Sequence, residues 1–268
     1  KYYVDALDLS QQVLAIRRVT TGERTPSFIA AIRDIGMLHH DLGEYDKAER
    51  YFTNALDVTE IVFGTDHPSV ADVLNDLAVA MYMKNRKNSE KFGEIIATYE
   101  SALSIRIASY GNMHKDVANT LNHMANVYRT KFDLGDTEAI SRAISLYNRA
   151  REIKETNLHP MHPEVLLSRS NIANILLMTG MFSEAAVEHE AILGLRQKVH
   201  GIDNIQNATS MKNCGLAHMG LNNWQKSLQY HLDALRIRKA GLGDLHPKTV
   251  ESNACVGDVY AAMGNSAK

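Results

Sequence analysis

Two cysteines in 268 residues, Cys214 and Cys255, are too few for a disulfide framework, on which thin-cored secreted domains depend. Their scarcity places the chain in a reducing compartment, the cytoplasm or its cytoskeleton. No apolar run reaches the roughly eighteen residues that a membrane span requires, and no signal peptide opens the chain, so membrane insertion is not expected. Charge of one sign is lacking too: 29 Lys and Arg nearly balance 31 Asp and Glu, for a net charge of -2. Arg17-Arg18 and Lys84 through Lys87 are short basic stretches that usually mean a solvated face, so nucleic acid is not the expected partner. There is no P-loop, nucleophile elbow or paired-carboxylate pattern. Gly241-Leu242-Gly243-Asp244 lacks the third glycine of a dinucleotide turn and follows a helix. Neither a cofactor nor an enzymatic activity is expected. A single sequon, Asn207-Ala208-Thr209, is a weak signal by itself.

Proline (five) and glycine (sixteen) are also scarce, and they sit at intervals before long apolar-periodic stretches. That distribution describes helices punctuated by short turns. What the sequence does have is internal repetition. Gly36, Ala78, Ala125, Ala173, Gly215 and Gly257 follow one another at spacings of 42, 47, 48, 42 and 42 residues. Ala55, Ala102, Ala150, Ile192 and Ala234 keep the same spacings. Two ladders in step predict a repeated pair of helices, A and B, whose small residues let the two backbones approach.

The first complete pair reads clearly. Thr25 caps helix A at Pro26, Leu42-Gly43 ends it, and Tyr45, Ala48, Tyr51, Phe52, Ala55 and Leu56 form the apolar stripe of helix B up to Gly64. The next helix A opens at Asp66-His67-Pro68-Ser69, and the His-Pro start recurs at His162-Pro163 and His246-Pro247, with His114-Lys115 a degenerate form. The array divides into helix B of a partial repeat (1–22, with Tyr3, Ala6 and Val13 in register), repeats at 25–64, 66–111, 113–158, 161–201 and 203–243, and helix A of a further unit (245–268). Both ends read as cuts, so the array is expected to extend on each side. The second and third repeats carry polar insertions in the A–B turn, around Asn85-Arg86-Lys87-Asn88-Ser89 and Lys131-Phe132-Asp133-Leu134-Gly135.

Phe63-Gly64-Thr65-Asp66-His67-Pro68-Ser69-Val70-Ala71, Leu74-Asn75-Asp76-Leu77-Ala78 and Leu121-Asn122-His123-Met124-Ala125 resemble the tetratricopeptide repeat of the kinesin light chain type. The resemblance runs over essentially the whole chain. It implies an all-α, right-handed superhelical solenoid of helix–turn–helix repeats that binds protein partners. In that family, groove asparagines and basic residues hold short acidic peptides carrying an aromatic residue. The resemblance carries that role to Asn75 and Asn122, with Asn171 and Asn213 at the groove edge.

The groove can also be read from geometry. With the small Gly or Ala as the eighth place of helix A, the second, fifth, ninth and twelfth places fall within about 80° of one another. The fifth places hold Arg33, Asn75, Asn122, Ser170 and Lys212; the ninth hold Met37, Val79, Asn126, Asn174 and Leu216. Asp72 and Asn119 lie at the second place, and His40, Tyr82 and Arg129 at the twelfth. Carboxamides match the peptide groups of an extended chain, and the cations would attract its carboxylates. The alternative is that the asparagines bond between neighbouring repeats. At the level of the whole protein, the array is either an adaptor for an extended, acidic peptide, or the interaction or sensor arm of a larger protein with its groove filled in cis or by self-association. Twelve histidines invite a metal, but most (His39-His40, His67, His114, His159, His162, His189, His200, His246) lie at repeat boundaries about a repeat apart. Cap and turn roles are expected there, and no metal. Cys214 and Cys255 are expected to be small core residues rather than a redox pair.

Overall fold

In the computed structural model, the backbone is described from Tyr2 to Ser266 and side chains from residue 5 to residue 264. The Tyr3 side chain, assigned above to the helix B register, lies outside the described residues, as do Lys1, Ala267 and Lys268. Among the described residues there are twelve α-helices and no strand: α1 (Tyr2–Thr20), α2 (Pro26–Asp41), α3 (Tyr45–Phe63), α4 (Pro68–Asn85), α5 (Phe92–Tyr110), α6 (Lys115–Asp133), α7 (Ala139–Asn157), α8 (Pro163–Met178), α9 (Phe182–His200), α10 (Asn207–Gly220), α11 (Trp224–Leu242) and α12 (Pro247–Ser266). A short 3-10 helix, Ser89–Lys91, precedes α5. The chain divides into two compact units, Lys1–Ile153 and Lys154–Lys268.

The starts of the A helices follow from the cap residues. Thr25 Oγ1 accepts the Phe28 amide at 3.3 Å. At the His-Pro starts the imidazole is the cap. Nδ1 of His67, His114, His162 and His246 accepts the amide two residues on, from Ser69, Asp116, Glu164 and Lys248 at 3.1 to 3.3 Å. The fifth repeat, which lacks His-Pro, does the same with a carboxamide: Asn204 Oδ1 accepts the Gln206 amide at 2.9 Å. Each cap gives a partner to an amide that the helix leaves unbonded.

The small-residue ladders mark where A and B helices meet. Ala55, Ala102, Ala150, Ile192 and Ala234 are fully buried. Gly36 lies so close to Phe52 that a Cβ there would sit 2.7 Å from the ring. Gly215 stands in the same relation to His231, at 2.6 Å. Gly257, the last rung, is exposed with open space around it.

A third ladder ties successive repeats together. Arg17, Arg106, Lys154, Arg196 and Arg238 share the register of helix B, and each cation reaches the start of the following A helix. Arg106 donates to the Asp116 carbonyl (3.0 Å), Thr120 Oγ1 (2.6 Å) and Asp72 (2.8 Å). Arg238 donates to the Lys248 carbonyl and to Ser252 Oγ, both at 2.8 Å. Arg17 reaches the Ser27 carbonyl, Arg196 reaches Ser210 Oγ, and Lys154 pairs with Glu164 at 3.4 Å. Arg106, Lys154 and Arg238 are nearly inaccessible to solvent. These buried cations survive because hydrogen bonds replace the water they lose.

Two expectations need correction, and one weak signal is explained. Lys131, Phe132 and Asp133 form the last turn of α6 rather than a loop, so the third repeat absorbs much of its insertion as helix. His189 is not a boundary residue. It lies in mid-α9 and is fully buried. Asn207 of the sequon is fully buried at the start of α10, where its amide donates to the carbonyls of Gly201 (2.7 Å) and Ile202 (2.9 Å). No glycosylating enzyme could reach it in the folded chain.

Candidate functional site

In unit 1, the inner faces of α2, α4 and α6 stand side by side and share a polar seam. Arg33 Nε and Nη2 donate to Asp76 Oδ2 at 3.0 and 2.7 Å. Asn75 Oδ1 lies 3.2 Å from His123 Nδ1. The Tyr82 hydroxyl meets Thr130 Oγ1 at 2.7 Å, and Asn126 Oδ1 accepts the Tyr147 hydroxyl at 2.6 Å. In unit 2, Asn174 Oδ1 accepts from Asn213 at 2.9 Å and Lys212 pairs with Glu251 at 2.9 Å.

Asn75 and Asn174 are therefore bonded between neighbouring repeats, the alternative that the sequence left open, whereas Asn126 is bonded to Tyr147 within its own repeat. Two of the three groove cations, Arg33 and Lys212, are held by carboxylates. Ser170 is buried, Asp72 is engaged by Arg106, and Asn119, Asn122 and Arg129 are half-buried on α6. The Arg129 Nε, itself buried, has no hydrogen-bond partner.

Within this seam lies a cavity of about 200 Å³, lined by Met37, His40, Phe52, Asn75, Asp76, Val79 and His123. The fully buried Phe52 ring is part of its lining. The two later repeats of the unit carry Tyr99 and Tyr147 in this register. Tyr99 lies against the His123 ring at 5.9 Å, and the Tyr147 hydroxyl is spent on Asn126. Phe52 has no hydroxyl, and Met37, nearly half exposed, lines the same cavity. Asp76 brings a carboxylate to its wall. Burial raises that carboxyl group's pKa, while Arg33 pulls the other way. Its lining thus joins apolar Met37, Phe52 and Val79 to Asn75, Asp76 and two imidazoles.

Unit 2 has a different polar centre. Glu190 receives Lys226 (2.7 Å), His218 (2.8 Å) and Tyr230 (3.0 Å). Burial opposes its ionisation, but the three donors outweigh that and hold its pKa down at about 2. Nearby Cys214 is buried with its thiol pushed up to about 12, mainly by burial. A thiol so rarely ionised is no nucleophile. Cys214 and Cys255 are both free. Among the described residues no three His, Cys, Asp or Glu side chains converge as metal ligands, and no helix is long and apolar enough to cross a membrane.

Sequence reasoning missed the arginine ladder and the Phe52 hollow. The ladder could have been found, since Arg106, Lys154, Arg196 and Arg238 repeat at spacings of 48, 42 and 42.

Comparison with known proteins agrees with this architecture. The chain is 23% identical over 233 residues to Protein KINESIN LIGHT CHAIN-RELATED 1 of Arabidopsis thaliana, covering 86% of this chain and 36% of that protein. It is 25% identical over 207 residues to the Clustered mitochondria protein homolog of Culex quinquefasciatus, covering 76% of this chain and 14% of that protein. Among solved structures, BtubC (BKLC) of P. vanneervenii superposes with a TM-score of 0.74 at 19% identity, covering 92% of this chain and 94% of that one. A signal transduction ATPase with numerous domains from Pyrococcus horikoshii, which has a tetratricopeptide repeat sensor, matches with a TM-score of 0.72 at 15% identity. That match covers 96% of this chain and 36% of the ATPase. At such identities these structures speak for the fold, a solenoid of helical hairpins. The tetratricopeptide repeat profile matches residues 27–89 and 164–240, just over half of the chain, and the chain belongs to the tetratricopeptide repeat family.

Proposed function

We propose that this chain is a protein-binding scaffold, not an enzyme, working in the cytoplasm, and that unit 1 grips an extended segment of a partner across α2, α4 and α6. The observation that carries this reading is the hollow lined by Phe52. Its volume of about 200 Å³ suits one large side chain. Met37, Phe52 and Val79 offer apolar contact, and the Asp76 carboxylate suits a hydrogen-bond donor such as an indole N–H or a phenol. An aromatic side chain of the partner meets both demands.

The segment would pass Asn75, Asn119, Asn122 and Arg129, with Tyr82 and Asn126 as its edge. Asp72 and Arg33 are engaged within the protein and would shape the groove rather than attract. A preference for acidic partners then rests on Arg129 in this unit. In unit 2, Ser170, Asn174 and Lys212 are the matching positions. The similarity to a kinesin light chain-related protein and to clustered mitochondria homologues supports a binding role of this kind.

Selection of random dodecapeptides displayed on phage against the whole chain tests the reading. Selected peptides should share an aromatic residue. Met37→Glu puts a charge at the mouth of the hollow on a residue 46% exposed, so the fold should survive. Burying one aromatic side chain is worth about 1.5–3 kcal/mol, so binding should weaken by roughly tenfold or more. Val187→Glu on the exposed face of α9 should change nothing. Peptides that bind Met37→Glu as tightly as the original chain would refute the hollow as the site. No selected peptide at all, with the hollow protected from exchange in the free chain, would instead favour a groove filled in cis or by a second copy.

A further inference from the structure

Cysteine, the usual oxidant-sensitive side chain, is disarmed in this chain. Cys214 is fully buried with its thiol pushed up to about 12, and burial raises the half-buried Cys255 thiol as well. Peroxides react with thiolates, so neither sulfur is a ready target. A thioether needs no ionisation to react, and the chain holds eleven methionines. Met81, Met124 and Met211 are buried, whereas Met37, Met113 and Met181 are 46%, 45% and 46% exposed. Met113 and Met181 lie in turns between helices. Of these three exposed methionines, Met37 is the one in a binding face. It sits in mid-α2 beside Gly36 and lines the hollow with Phe52 and Val79.

In its reduced form Met37 suits the side chain proposed for the hollow. An unbranched thioether is flexible and polarisable, and sulfur beside an aromatic ring is a favourable contact. Oxidation reverses this. The sulfoxide oxygen is a polar acceptor that water serves in the free chain, and a ring closing over it would strip that water. Arg33, one turn back on α2, is no substitute donor, because its Nε and Nη2 both go to Asp76. The Asp76 carboxylate adds acceptor oxygens to the same lining.

Resting on the reading that the hollow receives an aromatic side chain, we infer that Met37 is an oxidation site whose conversion to the sulfoxide releases the partner. The oxidant is a peroxide. The sulfur lone pair attacks one oxygen of hydrogen peroxide, and the S–O bond forms as the O–O bond breaks. The departing hydroxide takes the proton left on the transferred oxygen and becomes water. Sulfur is oxidised by two electrons and the peroxide reduced by two, and both carbon–sulfur bonds stay intact.

Fluorescence anisotropy of the whole chain with a labelled, phage-selected peptide that lacks Met and Cys tests this. The chain is treated with hydrogen peroxide, desalted and assayed, and peptide mass spectrometry locates the added oxygen. Affinity should fall by about tenfold once Met37 carries it, as for a buried acceptor left without a partner. Met37→Leu should bind the peptide and keep binding it after treatment. Met113→Leu with Met181→Leu should lose binding as the original chain does. Methionine sulfoxide reductases with dithiothreitol should restore it. If the treated chain melts early, untreated Met37→Gln stands in for the sulfoxide and should weaken binding in the same direction. Undiminished affinity with Met37 oxidised, or equal loss in treated Met37→Leu, would overturn the inference. So would Met37 remaining intact after Met113 and Met181 have reacted. Met37→Glu separates the two levels. If it binds the peptide as tightly as the original chain, the hollow is not the site and both readings fall. If it binds weakly while the oxidised chain binds normally, the oxidation inference alone falls.

Discussion

The two units use the same place in the repeat for different chemistry. The helix B residue that faces the small position of helix A is Phe52, Tyr99 and Tyr147 in unit 1, but His189 and His231 in unit 2. All five rings are buried. A flat ring is what the close approach of two helices admits, as the contacts of Gly36 with Phe52 and of Gly215 with His231 show. The fold therefore dictates shape at this place and leaves polarity open. In unit 1 the freedom yields a phenol bonded to Asn126 and a phenyl ring that lines the hollow. In unit 2 it yields two ionisable rings, none of whose nitrogens has a partner that meets hydrogen-bond geometry.

The largest expected difference is in acid. Burial pushes the His189 pKa down to about 4 from an ordinary 6.5, with Arg196 lowering it further and Glu188 and the Ala173 backbone opposing. His231 is lowered by burial and by Lys212, against Asp258. Above pH 6.5 both rings are neutral, folded or unfolded. As pH falls from 6.5 towards 4, the unfolded state takes the proton first, so unit 2 loses stability across that window. His189 alone removes about 3 kcal/mol by pH 4. Glu190 adds to this at lower pH, since its stabilisation fades as pH falls from about 4.5 through its folded value near 2. At this place in the repeat unit 1 carries Phe52, Tyr99 and Tyr147 instead, and Asp76, whose pKa is raised, is eased by acid. The single tryptophan, Trp224, lies in α11, so its fluorescence should report an acid transition that hydrogen exchange does not detect in α2 to α5. Coincident transitions would mean that the rings do not decide the matter.

His189→Phe with His231→Phe sharpens the comparison. It should remove most of the transition between pH 6.5 and 4 while leaving unit 1 unchanged. A somewhat smaller effect is expected at the glycines. Gly36→Ala and Gly215→Ala each force a ring to move, and overpacking of this kind costs about 1–3 kcal/mol, offset by roughly 1 kcal/mol of helix propensity. Thermal melts should register the loss in the unit that carries the change. If both variants melt higher, the close approach is not tight. The smallest effect lies at the caps. Asn204→Ala and His67→Ala should each cost about 1 kcal/mol, one in each unit, because carboxamide and imidazole do the same work there. Neutral melts would show that the caps are ornamental.

Much of this was legible in the sequence. Gly36, Ala78, Ala125, Ala173 and Gly215 reveal the repeat because a close helix contact tolerates few residue types, and Thr25 and His67 announce helix starts because a cap must precede proline. His189 was misplaced because it was grouped with the turn histidines. Its spacing of 42 from both Tyr147 and His231 puts it on a core ladder instead. Arg106 and Arg238 were passed over because buried cations are rare, and only their acceptors on the next helix make them tolerable. The groove positions were read from spacing along the A helices, but the partners of their side chains were not foreseen. Arg33 meets Asp76 across 43 residues of sequence, a pairing set by the offset between adjacent A helices. The hollow was invisible because its lining comes from four helices, and only their packing brings Met37, Phe52, Val79 and His123 together.

The central claim is that unit 1 binds partners through the inner faces of α2, α4 and α6. Hydrogen exchange of the whole chain, with and without the tightest phage-selected peptide, tests it most directly. The account expects slowed exchange around Met37, Asn75, Val79 and His123, with unit 2 and the outer face of α3 unaffected. Slowed exchange confined to α8 through α12, or to the outer faces of the B helices, would contradict it.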